Sequence, residues 1–190
     1  MSQAPERGGL APRRTPRLLL RRPTEADAER FFEIFGDPRT NAFNPDGPWP
    51  DLAHAREVLA RWMAHWEKHG FGGWAVSPLE APERIVGYAG LSWRDYAGTM
   101  RVNLGFRFAF EAWGRGYATE IGLGALEAAF DVLALPEVRA LARPANLASQ
   151  RVLRKIGMTE IGTLDDVPGE APSRLYRAVA SAGGGSGLQT

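Results

Sequence analysis

Between Arg101 and Ala142 the apolar residues change period twice, and this restricts the fold more than any other feature of the chain. Val102, Leu104, Phe106 and Phe108 alternate, as in a half-buried strand. Ala118, Ile121, Gly122, Ala125, Leu126, Ala129, Phe130 and Leu133 then recur at the i, i+3, i+4, i+7 spacing of an amphipathic helix. Pro136 closes that helix, and Val138 to Ala142 reads as a strand. A strand–helix–strand unit of this kind makes its two strands parallel neighbours in one sheet.

The preceding segments have a different character. Trp74 to Val76, Ile85 to Leu91 and Arg101 to Phe108 read as strands joined by short turns at Pro78–Pro82 and Asp95–Gly98, which favours antiparallel pairing. Before them come a strand over 17–22, a helix opened by Thr24 and Asp27, an irregular Pro-rich loop over 41–50, and a helix over 51–69 capped by Asp51. After the strand at 138–142, Asn146 to Ile156 reads as a helix capped by Gly157, and strands over 158–164 and 175–179 close the domain. The expected class is mixed α/β (α+β), a mostly antiparallel central sheet of about six or seven strands flanked by about four helices.

The 190 residues suit one domain, expected over 16–180. Residues 1–15, with Pro5, Gly8, Gly9, Pro12 and Arg7, Arg13 and Arg14, read as a disordered leader, and 181–190 (SAGGGSGLQT) as a flexible tail. No apolar signal region or membrane-length run is visible, so a cytoplasmic protein without a membrane partner is expected. With 23 basic and 22 acidic residues the net charge is +1, which gives no reason to expect a nucleic-acid partner. The absence of cysteine excludes disulfides, zinc–thiolate sites and a thiol nucleophile. His65 and His69 share a helix face, but no third ligand accompanies them, so no metal is expected.

Chemistry concentrates in two segments. Trp113-Gly114-Arg115-Gly116-Tyr117-Ala118-Thr119-Glu120 joins a strand to the long helix, and its glycines leave bare amides at a helix N-terminus, where an anion such as a pyrophosphate is favoured. The spacing fits neither a dinucleotide fingerprint nor a Walker loop. Asn146 and Ser149 lie in the first turn of the next helix, followed by Lys155-Ile156-Gly157-Met158. Asn146 is also a natural N-cap.

Together these segments resemble the GNAT superfamily of N-acetyltransferases, specifically its RimJ/RimL-like branch, over about residues 16–179. Leu18-x-Leu20-Arg21 with Asp27 and Ala28 is similar to the start of that branch, and Trp113 stands where the broader superfamily has Gln or Arg in its acetyl-CoA loop. The resemblance implies an acyltransferase whose strand before the loop splays from its parallel neighbour to admit acetyl-CoA, the co-substrate, without a metal. It implies that backbone groups of Phe106, Arg107 and Phe108 meet the pantetheine and that Arg115, Gly116, Tyr117, Ala118 and Thr119 hold the pyrophosphate. It further implies that Asn146 touches the pantetheine arm and that Ser149 protonates the departing thiolate. Glu120 matches the motif and is carried as a second catalytic position, although an acid in a first turn also complements the helix dipole.

The general base is open. Many members carry a glutamate where this chain has Asn103, which cannot accept a proton; Asp46, Asp95 and Glu111 are the other candidates. The acceptor that the resemblance implies is a primary amine, on a protein N-terminus, amino acid, polyamine or aminoglycoside, with Phe43 and Trp49 as candidate pocket walls and Asp37, Asp46 and Asp95 available for an acidic pocket. Without cysteine the expected route is direct attack in a ternary complex, by a monomer or homodimer. Two alternatives stand beside it: a non-catalytic acyl-CoA-binding module and a nucleotide-binding α/β domain.

Overall fold

The computed structural model describes residues 10–181. Eight strands form one sheet in the order β1-β2-β3-β4-β5-β6-β8-β7. β1 (Arg13–Arg14), β2 (Leu18–Arg21), β3 (Gly73–Pro78), β4 (Gly87–Asp95) and β5 (Met100–Phe108) run antiparallel to their neighbours. β6 (Glu137–Ala142) is parallel to β5, while β7 (Thr159–Leu164) and β8 (Ser173–Val179) complete an antiparallel edge.

α1 (Ala28–Phe35) and α2 (Leu52–His69) cover one face of the sheet. α3 (Tyr117–Glu127) and α4 (Leu147–Lys155) cover the other. Alternation along each strand divides the core accordingly. Ala75 and Tyr88 meet Phe31, Phe35 and Leu59 on the first face, whereas Val102, Leu104 and Phe108 meet Ile121 and Leu153 on the second. Phe31 is wholly buried, edge-on to Tyr88 with ring centroids 4.6 Å apart. Truncating such a ring to alanine costs about 3–5 kcal/mol.

Local chemistry sets the helix ends. The capping box of Thr24 and Asp27 is present, followed by a tight turn before α1 begins. Asp51 accepts from the His54 amide at 2.8 Å, and Gly70 ends α2 in the left-handed region at φ 72°.

Two expectations require correction. The long apolar stripe does not form one helix to Leu133: α3 stops at Glu127 and a single π turn spans Ala128–Val132. The wider turn buries the small Ala128 and Ala129 and leaves Val132 exposed. Nor is the leader disordered as far as residue 15. Leu10 is 2% exposed, its amide donates to the Gly70 carbonyl at 2.7 Å, and Arg13–Arg14 adds the eighth strand. Side chains more than a hundred positions away hold this segment, beyond the reach of local composition. The remainder of the leader, and all but the first residue of the 181–190 tail, lie outside the described residues.

Candidate functional site

β5 and β6 pair at one position only, Asn103 with Arg139. Beyond it the two strands diverge, so the edge of β5 from Leu104 to Phe108 has no strand partner on that side. A cavity of about 540 Å³ opens there. Phe106 and Arg107 of β5, Leu141 and Ala142 of β6, and Asn146 and Ser149 at the start of α4 line one part of it. Trp62 and His65 of α2 line another part, so the cavity passes from one face of the sheet to the other.

Three glycines floor it on the α1/α2 face. Gly73 pairs with Gly90, and Gly90 with Gly105, in a single row across β3, β4 and β5. A Cβ at Gly73 would come within 2.2 Å of the Trp62 ring, and one at Gly90 within 2.5 Å of the Gly72 carbonyl oxygen. The row is invisible to a motif scan because its members lie far apart in sequence, and only strand register aligns them.

At the other end, Gly114 and Gly116 both adopt left-handed backbone, φ 75° and 77°, which suits glycine alone among common residues. Gly116 caps α3, and its carbonyl accepts the Glu120 amide at 3.1 Å as the first helical bond. The amides of Tyr117, Ala118 and Thr119 therefore have no intrahelical acceptor and, with the helix dipole, favour an anion. Arg115 is exposed beside them. The Tyr117 side chain belongs to the core, buried against Phe108, so its amide and not its ring is offered to a ligand.

On α4, Asn146 Oδ1 accepts the Ser149 amide at 3.0 Å, so Asn146 is a true N-cap as well as a cavity residue. No described side chain or backbone group bonds the Ser149 hydroxyl. Phe108 lies outside the lining, and its carbonyl accepts from Trp113 Nε1 at 3.0 Å.

Residues 17–159 match the family of acetyltransferase (GNAT) domains. The chain belongs to the GNAT family. It is similar to the uncharacterized N-acetyltransferase YoaA of Bacillus subtilis, 27% identical over 153 residues, which span 79% of this chain and 84% of that protein. Among solved structures, an acetyltransferase from Agrobacterium tumefaciens str. C58 superposes with a TM-score of 0.75 at 25% identity, over 93% of this chain and 99% of that one. The spermidine N-acetyltransferase of Vibrio cholerae, solved with CoA and spermine, superposes with a TM-score of 0.69 at 17% identity, over 85% and 95% of the two chains.

Within this GNAT domain Glu120 does not reach the cavity. Its carboxylate accepts from the Thr15 hydroxyl at 2.5 Å, the Arg17 amide at 2.8 Å and Arg17 Nε at 2.7 Å. Burial would raise its pKa, but these bonds outweigh burial and hold it below the usual carboxylate range. Glu120 clamps the leader to α3, and its expected catalytic place is corrected to a structural one. Sequence reasoning missed this because both partners lie in the segment read as leader and first strand.

No described aspartate or glutamate lines the GNAT cavity. Asp37 is paired with Arg39 at 2.6 Å, Glu111 with Arg30 at 2.7 Å, and Asp95 accepts the Gly98 amide at 2.7 Å. Asp46 is exposed and lies outside the lining. The anticipated acidic pocket is not formed. Trp49 stacks on Phe35 at 4.3 Å and pins its loop to the core, and neither it nor Phe43 lines the cavity.

Asn103 does line it, 8% exposed, with Oδ1 accepting from the Tyr96 hydroxyl at 2.7 Å. His65 Nδ1 lies 2.8 Å from the Phe71 carbonyl oxygen and Nε2 accepts the Trp93 amide at 3.1 Å. Both bonds together require the neutral ring with its proton on Nδ1, and burial lowers its pKa in the same direction. His65 thus has no lone pair left for a base. No group of three or more metal-ligating side chains occurs among the described residues, and no helix among them is long and apolar enough to cross a membrane.

Proposed function

We propose that this chain is an N-acetyltransferase of the RimJ/RimL-like branch that moves the acetyl group of acetyl-CoA to a primary amine, on a small molecule or a protein N-terminus, by direct attack in a ternary complex. The observation that carries this reading is the gap between β5 and β6, held closed only at Asn103 and Arg139 and opening on both faces of the sheet. The unpaired edge of β5 at Phe106 and Arg107 suits an amide-bearing arm such as pantetheine. The bare amides at Tyr117, Ala118 and Thr119, with Arg115 beside them, suit a pyrophosphate. Trp113 in the loop supports the branch.

Acetyl-CoA supplies an activated thioester. The amine nitrogen forms a bond to the acetyl carbon, the carbon–sulfur bond breaks, and the sulfur leaves as a thiolate. The Ser149 hydroxyl, bonded to no described group of the chain, donates its proton to that sulfur. The Asn103 amide, with no carboxylate near it in the cavity, holds the amine or a water rather than taking a proton. The amine therefore arrives unprotonated, and the proton its nitrogen sheds on becoming the amide passes to solvent, which returns one to Ser149.

A thiol-release assay with acetyl-CoA and a panel of amines tests this reading. CoA release that needs an amine, intersecting initial-velocity lines and an unmodified protein mass are expected. Acetyl-CoA binding without release for any amine would instead make the chain a binding module.

A further inference from the structure

Arg107 is the most unusual cation in the molecule. Its side chain lines the cavity on the α1/α2 face, beside the glycine row, with Tyr88 opposite in register. No carboxylate pairs with it among the described residues. One nitrogen, Nη1, donates to Asn41 Oδ1, and the guanidinium lies over the Phe35 ring at 4.8 Å. Asn41 is itself fixed, its Nδ2 donating to the carbonyls of Phe35 at 2.7 Å and Asp37 at 2.8 Å. The guanidinium is thus oriented with most of its donors unused. Burial without a counter-ion lowers its pKa to about 10.

The other cations around the cavity differ. Arg94 pairs with Asp166 at 3.1 Å, Arg143 pairs with Glu170 at 3.3 Å, and Arg61 is exposed. Among the described residues the lining is cationic, and Arg107 is its half-buried member without a carboxylate partner. A polyamine would bring two or more ammonium groups to walls where no described carboxylate stands. A carboxylate would complete the Arg107 fork with charge-assisted, bidentate bonds.

We propose that the acceptor is a short amino carboxylate, of the α-amino acid type, and that Arg107 receives its carboxylate while its amine lies over the glycine row beside Asn103. Arg107 is then a specificity-determining residue. This inference rests on the acetyltransferase reading above.

The test pairs each of the twenty common α-amino acids with its carboxamide and adds spermidine and a short N-terminal peptide amide, read by CoA release. At least one free acid should exceed its amide by about 10- to 100-fold in kcat/KM, as expected for hydrogen bonds to a charged group. In Arg107→Gln that ratio should fall to about one, chiefly through a higher KM for the acid. Amides, spermidine or the peptide matching or exceeding every acid would overturn the proposal. So would a rise in the KM for acetyl-CoA equal to that for the acid, because Arg107 would then serve the phosphates of the donor.

If no amine releases CoA, the acetyltransferase reading fails, and the Arg107 assignment is read separately by thermal shift in the presence of CoA. Stabilisation by amino acids in the wild type but not in Arg107→Gln sustains it. No shift with any acid overturns it. Wild-type discrimination between acid and amide needs no variant, so misfolding of Arg107→Gln cannot hide the result.

Discussion

The Tyr96 hydroxyl donates to Asn103 Oδ1 at 2.7 Å, so the orientation of the Asn103 amide beside the cavity is set from behind. A Cβ at Gly105 would stand 3.5 Å from Asn103 Nδ2, which places that donor on the side of the glycine row. Asn103→Ala should lower kcat/KM about tenfold, the equivalent of one hydrogen bond in the transition state, measured by CoA release. Tyr96→Phe should give a smaller loss with the same acceptor profile. Full activity in Asn103→Ala would remove Asn103 from the site.

Ser149→Ala should reduce kcat about 100-fold while the fold is kept, because the Asn146 cap uses the Ser149 amide and not its hydroxyl. The KM for acetyl-CoA should change little. A thiol-release assay reads both, and an unchanged kcat would mean that water protonates the leaving thiolate.

Gly105→Ala separates folding from function. Its added methyl meets only ordinary contact at 3.5 Å, and Gly105 has no left-handed φ, so chemical denaturation should show stability equal to or up to about 1 kcal/mol above the wild type. The same methyl stands on the cavity floor, and turnover should fall at least tenfold. Wild-type turnover would show that the row is a packing feature alone.

Glu120→Gln tests the leader clamp. Loss of bonds to Thr15 and Arg17 should cost about 1–3 kcal/mol in urea denaturation at pH 7, with turnover per folded molecule preserved. The native pKa of Glu120 is depressed, so its contribution is present above the unfolded carboxylate pKa and is lost as pH falls through the native one. The difference between wild type and variant should therefore shrink below about pH 4.3. A gap that is constant from pH 7 to pH 3 would contradict the clamp.

His65 gives a second pH signature, with Lys68, His69, Phe71 and Trp93 around it. Its native pKa is also depressed, so the unfolded chain binds the proton first as pH falls, and stability declines below about pH 6.5. His65→Gln should flatten the stability profile between pH 7 and pH 5. An unchanged slope would mean that His65 titrates as it does in the unfolded chain.

Where contacts were local, sequence and structure agree. The alternation from Val102 to Phe108, the capping box of Thr24 and Asp27 and the left-handed glycines at 114 and 116 each depend on neighbours within one turn or strand. Long-range readings fared otherwise. Glu120 carries an acid's chemistry in a motif position, yet its partners Thr15 and Arg17 come from the other end of the chain. Arg107 was legible only as a strand residue with a useful backbone, because neither Phe35 nor Asn41 is near it in sequence.

The sequence alone determined the order of strands and helices from β2 onward, the parallel placement of β5 and β6 and the anion-ready start of α3, since periodicity and glycine conformation act over a few residues. The tertiary structure decided what lies around the gap. Register brought Gly73, Gly90 and Gly105 into one floor, the packing of α3 on the leader turned Glu120 away, and Arg107 was left half-buried in a cavity that no described acid lines. Charge and space at that point are sums over elements distant in sequence, and they take a value only when the sheet has formed.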